Sequence, residues 1–288
     1  MTHAHDDKAK TIGWALALNI AFTLVEAVGG VLTNSMAILA NALHDLGDSL
    51  GLIVAYVLER KATRKPDSRF TYGYSRLSLL SALLNALVLV LGSAYILTQA
   101  VPRLLHPEHS NARGMIALAV VGMAFNGYAA YKMRRGQTLN EGVLSWHLLE
   151  DALGWVAVLI IGVVSYFTEA RVLDPLLSVL LTVYVLWNVG GRLRQTIYLF
   201  LQGTPLDIDA LQADLARIPG VLSVHDTHAW SQDGEHHVVS THLRVRQGLS
   251  ESEITAVKCR ARELVRPPEV HVTIEIEYEG EACALPQA

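Results

Sequence analysis

Six long apolar stretches, at about 12–32, 36–58, 77–101, 114–133, 142–167 and 175–200, constrain this chain more than any other feature. Each reaches the roughly 20 residues that a helix needs to cross a hydrocarbon core about 30 Å thick. A soluble core cannot absorb six such segments in 288 residues. The expected architecture is therefore an α-helical membrane protein with six transmembrane helices over 12–202, preceded by a tail at 1–11. The amino terminus is acidic and has no small-residue cleavage site behind a short apolar core. The first span is accordingly expected to remain as a helix and not to be removed as a signal peptide.

Lys and Arg in short connections stay on the cytoplasmic side. One alternating set of connections holds Lys8, Lys10, Arg60, Lys61, Arg64, Lys65, Arg69, Arg76, Lys132, Arg134, Arg135, Arg192 and Arg194, whereas the other holds only Arg103, Arg113 and Arg171. Both termini are thus expected in the cytoplasm, with odd-numbered helices running outward and even-numbered ones running back. The expected location is a prokaryotic inner (plasma) membrane.

From residue 203 the texture changes to short alternating runs, turn residues and charges. Helical spacing over 207–218 brings Leu211, Leu215 and Ile218 to one face, and Pro219-Gly220 stops it. Alternation over 221–230 and 236–245 predicts two strands joined through an Asp233-Gly234 turn. Ser250 with Glu253 three residues on opens a second helix, and 270–278 forms a third strand. The expectation is a small α+β domain (αββαβ, ferredoxin-like or metallochaperone-like) over 203–280 with a tail at 281–288. Three strands leave sheet edges open, which suits pairing with a second copy. From residue 203 on there are 14 acidic residues against 7 basic ones, a balance that suits cations and argues against nucleic acid. Cys259 and Cys283 sit in no CxxC pair, which argues against a disulfide framework or a thiolate zinc cluster and fits a reducing cytosol.

The chemistry is concentrated in two matching pairs. His44 with Asp48 in the second span, and His147 with Asp151 in the fifth, are i,i+4 pairs that project two ligand side chains from one helix face, about 6 Å apart along the axis. Antiparallel packing of the two helices would bring His44 level with Asp151 and Asp48 level with His147. Two nitrogens and two carboxylate oxygens around one point make a closed tetrahedron for Zn2+. A carboxylate at the centre of a membrane helix costs about 2.5–3.5 kcal/mol on insertion scales, and such residues mark ion pathways. The competing reading is that these groups brace the bundle by hydrogen bonds. Two matching motifs on separate helices weigh against it.

With these pairs in view, the chain resembles the cation diffusion facilitators, membrane proteins that export zinc and related metals. The resemblance extends to Phe70-Thr-Tyr-Gly-Tyr-Ser-Arg76, Leu201-Gln-Gly-Thr-Pro205, Val224-His-Asp-Thr-His-Ala-Trp230 and Val272-Thr-Ile-Glu-Ile-Glu277. It implies a homodimeric metal/proton antiporter in the lipid bilayer, with Zn2+ as substrate and as a regulatory ligand, no cofactor and no catalytic residues. His44 at the first motif position is, in that family, associated with preference for Zn2+ over Cd2+ or Mn2+. The implied cytoplasmic site would use His225, His242, Glu275 and Glu277, and the competing reading there is solvated faces of edge strands. Relatives with another site between the second and third helices use an Asp and two His. Here only Asp67 matches, with Phe70 and Tyr74 at the His positions, so that site is expected to be absent.

Weaker signals surround these. Asn19 and Glu26 on the first span could face the metal route or make interhelical hydrogen bonds. Asp45 and Glu150 lie about 100° from the ligand faces and read as supporting or proton-handling groups. His3 and His5 read as part of a disordered tail, and His106 and His109 as residues of an outer loop. A membrane metallohydrolase would want an open coordination position and a general base, and no His-Glu-x-x-His occurs. A metal sensor would not need a matched site on two membrane helices.

Overall fold

A computed structural model of the chain describes residues 19–62, 64–133, 139–265 and 270–281. Over 139–148, which includes His147, only the backbone is described. Six helices come first: α1 (Asn19–Thr33), α2 (Met36–Ala62), α3 (Leu77–Leu105), α4 (Ala112–Met133), α5 (Leu139–Thr168) and α6 (Leu173–Phe200). Among the described residues four of them, α3 to α6, are long and apolar enough to cross a membrane by length and composition. Helix α2 is 27 residues long and carries His44, Asp45 and Asp48 in its middle. The chain divides into two compact units. One runs up to Tyr56 and over Leu83–Arg192; the other takes Val57–Ala82 and everything from Leu193 on.

In the first unit, Asn34 ends α1 with a left-handed backbone (φ 52°). The start of α2 is then capped from a distance. Met36 N and Ala37 N donate to the Asp174 carboxylate at 2.7 and 3.3 Å, and the Ser35 hydroxyl donates to it at 2.5 Å. Asp174 stands in the first turn of α6, so one buried carboxylate satisfies orphan N–H groups of α2 and fixes its end. Helix α3 then packs closely onto α2. A Cβ at Gly47 would meet Leu89 at 2.4 Å, and one at Gly51 would meet Asn85 at 2.5 Å. Apolar packing fills the space nearest the start of α2. Phe22 stacks on Phe125 at 4.5 Å and meets Trp155 edge-on at 6.1 Å, in a cluster with Ile38, Met115 and Val158. Met36, Ala40, Ile96 and Ala100 form a second cluster.

The second unit contains α7 (Ile208–Ala216), β1 (Val221–Ser231), β2 (His237–Val245), α8 (Glu251–Leu264) and β3 (Val270–Tyr278). The sheet order is β1-β2-β3, with β2 antiparallel to β1 and parallel to β3. Leu211 and Leu215 of α7, with Val257 and Ala261 of α8, bury one sheet face through Ala229, Val239 and Leu243. Gly234 (φ 104°) supplies the left-handed residue of the hairpin. The Ser250 capping box forms as expected: its side chain accepts from Glu253 N, while Glu253 accepts from Ser250 N at 2.8 Å. The architecture is therefore a helical membrane domain followed by a small α+β domain. Because β2 is the central strand, His242 does not lie on a sheet edge, unlike the solvated-edge reading of that cluster.

Candidate metal centre

His44, Asp45 and Asp151 each offer a ligand atom, and these atoms all lie within 4.8 Å of one another. Asp45 is 4% and Asp151 9% exposed, and His44 is half-buried. Asp48, one turn along α2, has its Oδ2 at 3.7 Å from His44 Nε2. The side chain of His147 lies outside the described residues; its backbone belongs to α5, four residues before Asp151. The structure thus brings together His44 and Asp151 from distant helices and sets Asp48 beside His44.

It also places Asp45 inside the cluster. A step of about 100° per residue moves Asp45 to the flank of the ligand face, yet a side chain on that flank still reaches a point lying between two packed helices. Its place next to His44, which the sequence reads as a supporting position, is the sequence signal for it. Glu26 of α1 is buried close enough to Asp45 and Asp151 for the carboxylates to interact through charge, and it accepts from Asn41 Nδ2 at 3.4 Å. Asn19 Nδ2 donates to Ser49 Oγ at 2.9 Å, an interhelical bond between α1 and α2.

A cavity of about 290 Å3 opens on this cluster, lined in part by His44, Ser93, Glu150, Asp151, Thr182 and Tyr184. The Tyr184 hydroxyl donates to the Glu150 carboxylate, tying α6 to α5 at the cavity wall. The described lining residues include neither Lys nor Arg. Imidazole nitrogen beside several carboxylates, with no basic side chain to balance them, is the donor set of a divalent cation site.

A second cluster lies on the sheet face that α7 and α8 leave uncovered. Strand register pairs His225 with His242, His242 with Glu275 and Arg244 with Glu277. Side chains of paired residues share a face, so these groups converge. Glu277 Oε1 is 3.2 Å from His225 Nε2 and 2.9 Å from His242 Nδ1, and Glu275 Oε2 is 3.4 Å from His242 Nε2. One ligand atom from each of His225, His242 and Glu277 lies within 4.8 Å of the other two. Asp226 joins them, with Oδ2 at 3.4 Å from His242 Nε2. An irregularity in the β1 register between His225 and His228, with Asp226 in a left-handed conformation (φ 48°), turns its side chain to this face. Strict alternation would have sent it to the other side.

The remaining polar signals have local partners. Asp67 accepts from Arg69 N and Phe70 N at 2.8 Å each and from the Tyr74 hydroxyl at 2.6 Å. The Tyr74 hydroxyl first, then the two backbone N–H groups, hold the Asp67 carboxyl below its ordinary range. His109 Nδ1 is 3.0 Å from Ser110 O. Cys259 is exposed, while His3, His5 and Cys283 lie outside the described residues.

Apolar helices long enough to span a bilayer, a buried His/carboxylate cluster among them and a second one on an appended sheet define a membrane protein that handles cations. Residues 14–201 match the family model of the cation efflux transmembrane domain, and residues 204–279 match that of the cation efflux protein cytoplasmic domain. The chain belongs to the cation efflux family, whose members are transporters and not enzymes. It is 33% identical to zinc transporter ZitB of Pectobacterium atrosepticum over 96% of this chain and 88% of that one. To the Bacillus subtilis protein named cadmium, cobalt and zinc/H(+)-K(+) antiporter it is 31% identical, over 97% of this chain and 93% of that one. To zinc transporter ZitB of Escherichia coli it is 33% identical, over 85% and 83%.

Proposed function

We propose that the chain exports Zn2+ from the cytoplasm in exchange for protons, by alternating access around a tetrahedral site of His44, Asp48, His147 and Asp151 between α2 and α5. Cd2+, Co2+ and Ni2+ are further candidate substrates. The observation that carries this reading is the convergence of His44, Asp45 and Asp151 beside a cavity that His44 and Asp151 line and whose described lining has no basic side chain. The names of the similar proteins, zinc transporters and a zinc/proton-potassium antiporter, point to the same substrates. Asp45 and Asp48 flank His44 on α2, and the ligand spacing favours Asp48 as the partner that completes the set.

Metal binding requires neutral imidazole and ionised carboxylate, so loading the site releases whatever protons its groups hold. Protons are the natural replacement once the metal has left, because bare carboxylates facing one another in a low dielectric repel. The apolar layer of Ile38, Met115, Trp155 and Val158 lies toward the start of α2, which the Lys and Arg distribution assigns to the outer side. An apolar layer at that place supports the reading that outward release needs a rearrangement of the helices. The sheet cluster of His225, His242, Glu275 and Glu277 is the regulatory zinc site, in a cytoplasmic domain whose open edges pair two copies into a homodimer in a prokaryotic inner membrane.

Proteoliposomes with a set pH on each side test the exchange. An opposing proton gradient should accelerate Zn2+ movement, and a pH-sensitive dye should report proton counterflow. Zinc flux unaffected by the gradient, with a silent dye, would refute antiport and favour a channel-like route.

A further inference from the structure

The connection between α2 and α3 and the β1–β2 hairpin enclose a cavity of about 520 Å3 that the transport chemistry leaves unused. Arg64, Lys65, Tyr72, His236, His237 and His271 stand in its wall. Ala62, the last residue of α2, and Ser78, in the first turn of α3, line it as well. The cavity therefore sits at the water-facing ends of two helices of the membrane domain. It is held shut at one side by the Ser75 hydroxyl, which donates to Gln232 Oε1 at 2.8 Å. Tyr72 also packs against the His271 ring, with ring centroids 5.6 Å apart.

The charge balance there is one-sided. Residues 60–76 carry six basic side chains and one acidic one, Asp67, whose oxygens are taken by Arg69 N, Phe70 N and Tyr74. Among the described wall residues the one carboxylate is Asp233. Its Oδ1 accepts from Glu235 N and His236 N at 2.9 and 2.7 Å, and its Oδ2 faces His236 Nδ1 at 2.5 Å. Burial raises this carboxyl, but those hydrogen bonds outweigh it and hold it below its ordinary range, so it stays ionised and occupied by its own loop. Arg64 and Lys65 are exposed at the mouth. The buried Nδ1 of His237 has no hydrogen-bond partner among the described residues.

We propose that this cavity binds a phosphate group, with Arg64 and Lys65 supplying the charge and the imidazole of His237 part of the wall. A metal ion fits worse. His237 pairs with Val270 and His271 with Val238, so the two rings leave opposite faces of the sheet. Among the described residues the three histidines of the wall do not form a group of shared-ligand geometry. Guanidinium and ammonium beside a basic connection at the membrane surface match instead the recognition of phosphate, carried by an anionic phospholipid headgroup or free in solution. The volume leaves room for a headgroup around the phosphate.

The test uses the full chain purified in an uncharged detergent, with its thermal midpoint followed against short-chain phosphatidylglycerol, the matching phosphatidylcholine, inorganic phosphate and Zn2+. Phosphatidylglycerol should raise the midpoint where phosphatidylcholine does not. Arg64→Gln/Lys65→Gln should weaken that response about tenfold, the loss expected for charge-assisted hydrogen bonds. Arg260→Gln/Arg262→Gln, which removes two exposed cations from α8, should leave it unchanged. If inorganic phosphate gives the same variant-dependent shift and phosphatidylglycerol none, the phosphate comes from solution. Should the double variant fold poorly, His237→Leu keeps the net charge, and native mass spectrometry should count less bound phosphatidylglycerol on it than on the wild type. Equal responses of wild type and variants to both anions, an equal loss in the α8 control, or a response to Zn2+ alone that His237→Leu removes would each overturn the proposal.

Discussion

The two His/carboxylate clusters use the same side chains in opposite mechanical settings. On the sheet, His225, His242, Glu275 and Glu277 are held by strand register, and Arg244 Nη2 lies 3.6 Å from Glu277 Oε2 to offset part of the negative charge. In the membrane domain, His44 and Asp45 come from α2 and Asp151 from α5, two helices that no strand ladder ties together, beside a cavity with no Lys or Arg among its described lining. A hydrogen-bonded ladder presents its ligands at one fixed spacing, whereas two helices can slide or tilt and change it. The first arrangement suits sensing a metal. The second suits taking one up and letting it go.

The sharpest way to break this contrast is to remove one candidate ligand from each cluster. Asp151→Asn should reduce zinc uptake by proteoliposomes to background, while His242→Ala should keep most of it. The reverse outcome would exchange the roles of the two sites. Next, Asp45→Asn and Asp48→Asn should separate ligand from supporting group. The true ligand should fall to background and the other lose about 10–100-fold, the usual cost of an outer partner of a metal ligand. Equal, mild losses in both would mean that neither closes the site.

In an Asp151→Asn background only the sheet cluster should still answer to Zn2+. Its stabilisation should reach about 2.7 kcal/mol at a hundredfold excess over Kd and vanish with Glu277→Gln, as read by thermal unfolding of the cytoplasmic domain. A surviving zinc shift would place the regulatory ligand elsewhere. Asp174→Asn should cost about 1.5–3 kcal/mol by weakening charge-assisted bonds to the start of α2, and it should impair transport without touching the sheet cluster's zinc response. The smallest effect is expected from Ser250→Ala, about 1 kcal/mol from the lost cap of α8, with transport kept. Glu253 belongs to the same cap, and the backbone N–H and hydroxyl of Ser250 hold its folded pKa below the ordinary glutamate value. Its contribution is therefore complete above that ordinary value and disappears as pH falls through the lowered one, so the wild-type and Glu253→Gln melting curves should converge in acid.

The sheet domain was more legible in the sequence than the membrane cluster, and particular residues show why. Ser250 with Glu253, the Asp233-Gly234 turn and the alternation over 270–278 are signals a few residues long, and each produced the expected element. Four of the six expected spans were equally legible because length and hydropathy are local properties, although α2 continues to Ala62 and α3 to Leu105, past where hydropathy alone would stop them. Asp226 was hidden because a single irregularity in β1 reverses which face it takes. Asp45 was assigned to a flank because its position in the cluster depends on where the second helix packs.

By itself, then, the sequence determined what is periodic or adjacent: the apolar spans, the caps and turns, the αββαβ order, and the His-x-x-x-Asp spacing that puts two ligands on one helix face. Only the tertiary structure decided that Asp174 caps α2 from 138 residues away, that Asp45 and Glu26 crowd the ligands, and that β2 runs centrally with His242 buried. The reason is physical. Periodicity settles which way a side chain leaves its own element, but the distance between groups on different elements depends on how those elements rotate and pack, which no local pattern encodes.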